Sequence, residues 1–331
     1  MRLFRALVIV AVLALGAAGA VAFVWYRQPL PLPTSPFEFE VRSGATLAAV
    51  ARQLRDAGVI PHPYTLIALA RVKGVDRTIK AGSYEVGEGI TLPQLLAKLT
   101  QGDVTQSSLT IVEGTTFADL MRSLRESGQI THTLADMPDS ELSASLGITE
   151  KSPEGLFFPD TYYFANGSSD AALLKRAHRA LEERLRVGWE RRATDLPLAT
   201  PYEALILASI VEKETGRPAD RPLIASVLVN RLRRGIRLQV DPTVIYGIGE
   251  KFDGNLRKRD LEADTAYNTY VRDGLPPTPI ALPSQASLDA VLNPPPTPYL
   301  YFVSRGDGTS EFSSTLADHN RAVSKYQKGG R

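Results

Sequence analysis

Apolar and polar positions change their period several times along the chain, and each change predicts an element. Phe37, Phe39 and Val41 alternate with Glu38, Glu40 and Arg42, a period of two that predicts a half-buried strand. Ser43-Gly44 turns the chain, and Thr46 caps a helix carrying Leu47, Val50, Ala51 and Leu54 that Gly58 closes. A second helix is predicted over residues 64–73, a returning strand over 79–85 and a further helix over 92–99. Part of this phrase recurs about seventy residues later: Val41, Gly44, Thr46, Leu54, Gly58, Ile60 and His62 are matched by Ile111, Gly114, Thr116, Leu124, Gly128, Ile130 and His132. Two copies are too few for a solenoid. Any strand–turn–helix unit also selects Gly and Thr at such points.

Residues 131–152 are polar and predict a loop with a short helix. The aromatic run 155–164, GLFFPDTYYF, suits either a core or a wall on which sugar rings stack. Residues 170–192 predict a long helix whose Arg and Glu form a solvated face. Residues 204–216, ALILASIVEKETG, predict a buried helix that Pro201 precedes and Gly216 closes. A second apolar helix over 221–234 stops at Gly235, followed by a turn and short strand and a capped segment over 239–247. A polar-aromatic stretch (266–270) and a rigid proline loop (274–280) follow, then a short helix over 288–292. A hairpin joins 299–304 to 310–313, and residues 316–326 form the last helix. The fold class expected is α+β.

Upstream, Arg2 and Arg5 precede residues 6–26, which carry no charge over about the length that crosses a bilayer. The run ends in Phe23, Val24, Trp25, Tyr26 and Arg27, an interfacial anchor rather than a cleavage site. A retained single transmembrane helix is expected, with residues 1–5 cytoplasmic and the rest outside, in the periplasm of a bacterium with an outer membrane. Prolines 29, 31, 33 and 36 make residues 27–36 a stiff linker.

Composition narrows the chemistry. The 331 residues are 44% hydrophobic and 22% charged, with a net charge of +2, so nothing global points to nucleic acid. The absence of cysteine excludes disulfides, thiol nucleophiles and thiolate metal sites. The four histidines lie far apart without metal-ligand spacing. No Gly-rich phosphate loop follows a strand, and no cofactor is implied.

The candidate chemistry is that of two carboxylates, Glu212 and Glu214. On the 204–216 helix, Leu207, Ile210 and Val211 share a face with Glu214, whereas Ala208 and Ser209 share one with Glu212. A carboxyl on a dry face loses hydration of its charged form, which keeps it protonated near neutral pH and able to give a proton to a leaving oxygen. The larger apolar neighbours favour Glu214. The plain alternative is a helix whose polar end reaches water. Asp241 could serve as a second carboxylate in a hydrolase, although Asp before Pro is also a common cap.

The motifs SIVEKETG, VNRLRRGIRLQVDPTVIYGIGE, AYNTY, GLPPTPI and the YLYFV…F…HN ending occur in that order. Together they resemble the YceG-like family of endolytic murein transglycosylases, over nearly the whole chain. Strand, two helices and strand over residues 37–103 resemble a small sugar-binding LysM module, leaving 104–331 as a catalytic domain. The resemblance implies a membrane-anchored enzyme that cuts the β-1,4 bond between N-acetylmuramic acid and N-acetylglucosamine without water, leaving 1,6-anhydro ends and terminating nascent strands. It implies Glu214 as the single acid/base. Candidates for the substrate groove are Gln239, Asp241, Thr243, Tyr246, Tyr267, Asn268 and Tyr270. Expected partners are peptidoglycan strands, the inner membrane and cell-wall synthases (penicillin-binding proteins). The alternative is a wall-binding scaffold without catalysis.

Overall fold

The computed structural model describes residues 26–42, 44–102, 106–134 and 137–327. Among these no helix is long and apolar enough to cross a membrane. The expected span over 6–26 lies outside the described residues except for Tyr26. The described chain is mixed α+β, with four two-stranded sheets and helices between them. It divides into two compact units.

The first unit takes in the described residues up to Ser108, with Gln129–Thr131 and Tyr163–Ser168. Strand Phe37–Val41 pairs antiparallel with Gly82–Val86, setting Phe39 against Tyr84 and Val41 against Gly82. Helices Leu47–Asp56 and Pro63–Val72 lie between these strands in sequence, and Leu92–Gln101 follows. Thr46 caps the first helix by accepting from Ala49 N–H (3.3 Å). The core is Phe39, Val50, Leu54, Leu66, Tyr84, Leu95, Leu96 and Leu99 with their neighbours. The proline segment is not a free spacer. Leu30 N–H donates to Ile90 O at 2.7 Å, and Leu30 and Leu32 pack against this core.

The second unit takes in Leu109–Gly128, His132–Tyr162 and Ser169 onward. Helix Phe117–Glu126 begins at a capping box of Thr116 and Asp119, so the repeated Gly-x-Thr phrase starts a helix in both places. The 155–164 aromatics are core here: Phe157, Phe158, Tyr162 and, in the first unit, Phe164 are buried, while Tyr163 is exposed. Helix Asp170–Glu190 is long and charged, with Leu173, Leu174, Ala177 and Leu181 as its buried stripe.

The helix Pro201–Glu214 is the centre of this unit. Thr200 caps it by accepting from Glu203 N–H, and Pro201 starts it. Every residue from Ala204 to Val211 is buried, so it is apolar on all sides rather than amphipathic. Helices Arg221–Arg233 and Gln285–Leu292 pack on it. The loop before Gln285 is tied to it as well, since Ile280 N–H donates to Ser209 Oγ at 3.0 Å. The turn at Gly114 adds two backbone bonds, Gly114 N–H to Leu282 O and Leu282 N–H to Thr115 O, both 2.8 Å. Hairpin Tyr301–Ser304/Ser310–Ser313 and helix Leu316–Tyr326 complete the unit.

Ser209 is fully buried and carries the only hydroxyl on the helix's inner turns. Ser209→Ala leaves Ile280 N–H buried without an acceptor. It should lower the unfolding free energy by about 1–3 kcal/mol in denaturant titration, and an unchanged midpoint would show that Ser209 does not hold the loop.

Candidate active site

The two carboxylates at the end of the central helix meet opposite surroundings. Glu212 is enclosed, its side chain only 7% exposed, and Arg221 lies 3.8 Å away. Its Oε2 accepts from Ser284 N–H (2.9 Å), Ser284 Oγ (2.5 Å) and Ser287 Oγ (2.6 Å). Ser284 is the N-cap of helix Gln285–Leu292, so this carboxylate fastens the start of that helix. Glu212 is thereby occupied in structure.

Glu214 is partly buried, and no described residue donates a hydrogen bond to its carboxyl. Burial, with the negative charge of Asp241 adding to it, pushes its pKa up to about 7. Thus Leu207, Ile210 and Val211, all fully buried, form a dry base under Glu214 as the spacing predicts. The difference between the glutamates comes from tertiary donors, which helical spacing does not reveal.

Glu214 opens into a cleft of about 460 Å³ within the second unit. Of the seven candidate groove residues, Gln239, Asp241 and Tyr270 line it. Asp241 begins helix Asp241–Ile248 and accepts from Tyr270 Oη at 2.5 Å. Gln239 sits at φ 54°, the one positive φ outside glycine among the described residues. That strained backbone is stitched down by Gln239 N–H to Thr269 O (3.1 Å) and by Arg231 Nη1 donating to its side chain (3.2 Å).

The other four candidates do not line the cleft. Thr243 and Asn268 are fully buried. Asn268 Nδ2 donates to the carbonyls of Asp260, Leu261 and Ala263, and its Oδ1 accepts from Tyr270 N–H. Thr243 Oγ bonds Thr269 Oγ (2.9 Å), whose oxygen also accepts from Val240 N–H. These two residues therefore fix the loops that present Asp241 and Tyr270. Tyr246 and Tyr267 pack edge to face at 4.9 Å. Tyr246 donates to buried Glu154, and Tyr267 bonds Thr278. Glu154 is also raised to about 7 by burial, but Phe117 N–H and Tyr246 Oη occupy it and it does not line the cleft.

The cleft also contains Arg231, Tyr301, Phe302 and His319, which sequence reasoning left out of the groove. His319 stacks on Tyr301 (5.2 Å), and the Arg231 guanidinium lies 5.0 Å from the same ring. The only signal for them was their place in motifs used for recognition rather than chemistry. Among the described residues no group of acidic and histidine side chains could hold a metal ion.

The model of the YceG-like family matches residues 39–325, and the chain belongs to that family. The chain is 31% identical over 308 residues to the endolytic murein transglycosylase of Bacillus subtilis, covering 86% of this chain and 83% of that one. It is 26% identical over 320 residues to the protein of the same name from Streptococcus pneumoniae, where it spans 57% of the relative's length. Among solved structures, a yceG-like protein from Listeria monocytogenes superposes with a TM-score of 0.56 at 29% identity, covering 87% of this chain and 98% of that chain.

The raised pKa has a thermodynamic signature. Glu214 binds its proton more tightly folded than unfolded, so its stabilising contribution is complete below about pH 4.5 and is lost as pH rises through 7. Gln imitates the protonated acid at every pH. The stability advantage of Glu214→Gln over wild type should therefore grow from near zero at pH 4.5 to about 3 kcal/mol at pH 8. Denaturant unfolding at both pH values measures this, and a constant difference would refute the raised pKa.

Proposed function

We propose that this chain is an endolytic murein transglycosylase in which Glu214 is the single acid/base. One observation carries the assignment: the helix-end carboxyl that opens into the cleft is the one lacking donors, and burial pushes its pKa up to about 7. Membership of the YceG-like family and the names of its relatives support the substrate class.

The chemistry follows from one proton moving twice. Protonated Glu214 gives its proton to the oxygen of the β-1,4 bond as the C1–O bond of N-acetylmuramic acid breaks. The neighbouring N-acetyl group of the substrate stabilises the oxocarbenium-like C1. Glu214, now a carboxylate, takes the proton of the C6 hydroxyl, and O6 bonds to C1 to close the 1,6-anhydro ring. The enzyme ends protonated, no water is consumed, and one carboxyl suffices. Asp241, which accepts a hydrogen bond from Tyr270, lies close enough that its charge favours the protonated form of Glu214. The same Asp241 admits a second reading, a water-using hydrolase with two carboxylates in one cleft.

Residues 37–103 supply wall binding in this reading, as a LysM-like module. Residues 6–26 anchor the chain in the inner membrane, with the catalytic unit in the periplasm. Internal cuts there would end strands that neighbouring cell-wall synthases are extending.

Glu214→Gln should reduce turnover by a factor of about 10²–10⁴ or more while the protein stays folded, because Gln neither gives nor takes the proton. Glu212→Gln should lose activity only as far as its fold weakens. Mass spectrometry of digested glycan strands reads both. Anhydromuramyl ends support the transglycosylase, reducing ends support the hydrolase, and uncut strands support the binding scaffold.

A further inference from the structure

Several arginines of this unit meet carboxylates. Arg233 bonds Asp195 at 2.9 Å, Arg237 bonds Asp273 at 2.8 Å, and Arg221 lies 3.8 Å from Glu212. Arg231 differs. It is only 8% exposed, yet among the described residues no carboxylate lies within ion-pair distance. Its Nε donates to Leu300 O, and its Nη1 donates to Arg237 O, Leu238 O and Gln239 Oε1. All of these acceptors are neutral, and Nη2 donates to none of the described residues. A guanidinium buried without a counter-charge is costly unless a charge is brought to it.

Arg231 lies in the cleft that holds Glu214. The Tyr270 hydroxyl feels the fields of both groups, so the two are within electrostatic reach of one side chain. His319 stacks on Tyr301 beside Arg231, and its Nδ1 is shielded from solvent without a hydrogen-bond partner. Burial and the Arg231 charge hold the imidazole below its usual pKa, so the positive charge here is that of Arg231 alone. Arg231 thus lines the cleft with a planar fork of which one nitrogen, Nη2, has no acceptor among the described residues.

We propose that Arg231, with His319 beside it, is a carboxylate-recognising subsite of this cleft that holds an anionic group on the muramyl residue. This rests on the murein reading above. Two carboxylates of a murein strand have this chemistry: the free lactyl group of a muramyl residue without peptide, and those of an attached stem peptide. Seating either one would fix the strand while Glu214 reaches the glycosidic oxygen. An N-acetylglucosamine chain has no such group, so the subsite would discriminate against it.

Calorimetric titration of full-length protein carrying Glu214→Gln, which suppresses turnover, tests this with matched strands of one length. One pair bears stem peptides with their carboxylates free or amidated. The other lacks peptides and has the lactyl carboxylate free or amidated. In the pair whose carboxylate is recognised, amidation should weaken binding by about ten- to a hundredfold. The other pair should show little change, which identifies the source. Arg231→Lys added to this protein keeps the charge but not the fork, and should shrink the difference between free and amidated strands. Where loss of the backbone clasp unfolds that variant, the strand pairs alone decide. Equal affinities within both pairs overturn the subsite and leave the murein reading standing. No binding of any strand overturns both.

Discussion

The site depends on an uneven distribution of hydrogen-bond donors between two glutamates one helical turn apart at most. Glu212 receives three donors at the start of a helix. Glu214 receives none and keeps its dry base. A buried carboxyl without donors is more stable with its proton on, and one with several donors is stabilised as the anion. The same short segment therefore provides a structural anchor and a proton reservoir. The all-round burial of Ala204–Val211 makes this possible, because it fixes the helix that carries both carboxyls.

The opposite wall of the cleft needs support of its own, since it is built from loops. Asn268 gathers three carbonyls and one N–H, and Thr269 joins the 239–243 and 268–270 segments through Val240 and Thr243. This network holds Gln239 in its strained conformation and sets Tyr270 against Asp241. Such satisfied polar knots give loops the rigidity that a charged pair beside a catalytic acid requires.

What was legible in the sequence was what depends on near neighbours. The alternation at Phe37–Val41, the Thr46 and Thr116 caps, the presence of the central helix (though it runs over Pro201–Glu214 rather than 204–216) and the dry face under Glu214 are all local. Membership of the YceG-like family was legible too, from motifs in fixed order. What depends on distant partners was not. Polar type named Thr243 and Asn268 as groove candidates, but it could not reveal that both are fully buried and hydrogen-bonded to neighbouring loops. Tyr246 is a groove candidate by residue type, and its hydroxyl donates to Glu154, a partner 92 positions away that spacing does not reveal. The proline run suggested a spacer, but Leu30 and Leu32 gave it an apolar side that packs on the first unit. Arg231 went unnoticed because, on a helix with several arginines, only burial sets it apart.

The most direct test of this account is a carbon-13 titration of the Glu214 side-chain carboxyl in glutamate-labelled protein, assigned by its loss in Glu214→Gln. The account predicts a midpoint near pH 7, moving lower in Asp241→Asn as the neighbouring negative charge is removed. A midpoint near 4.5 in the folded protein would contradict it, because Glu214 would then be a solvated carboxylate at neutral pH with no proton to give.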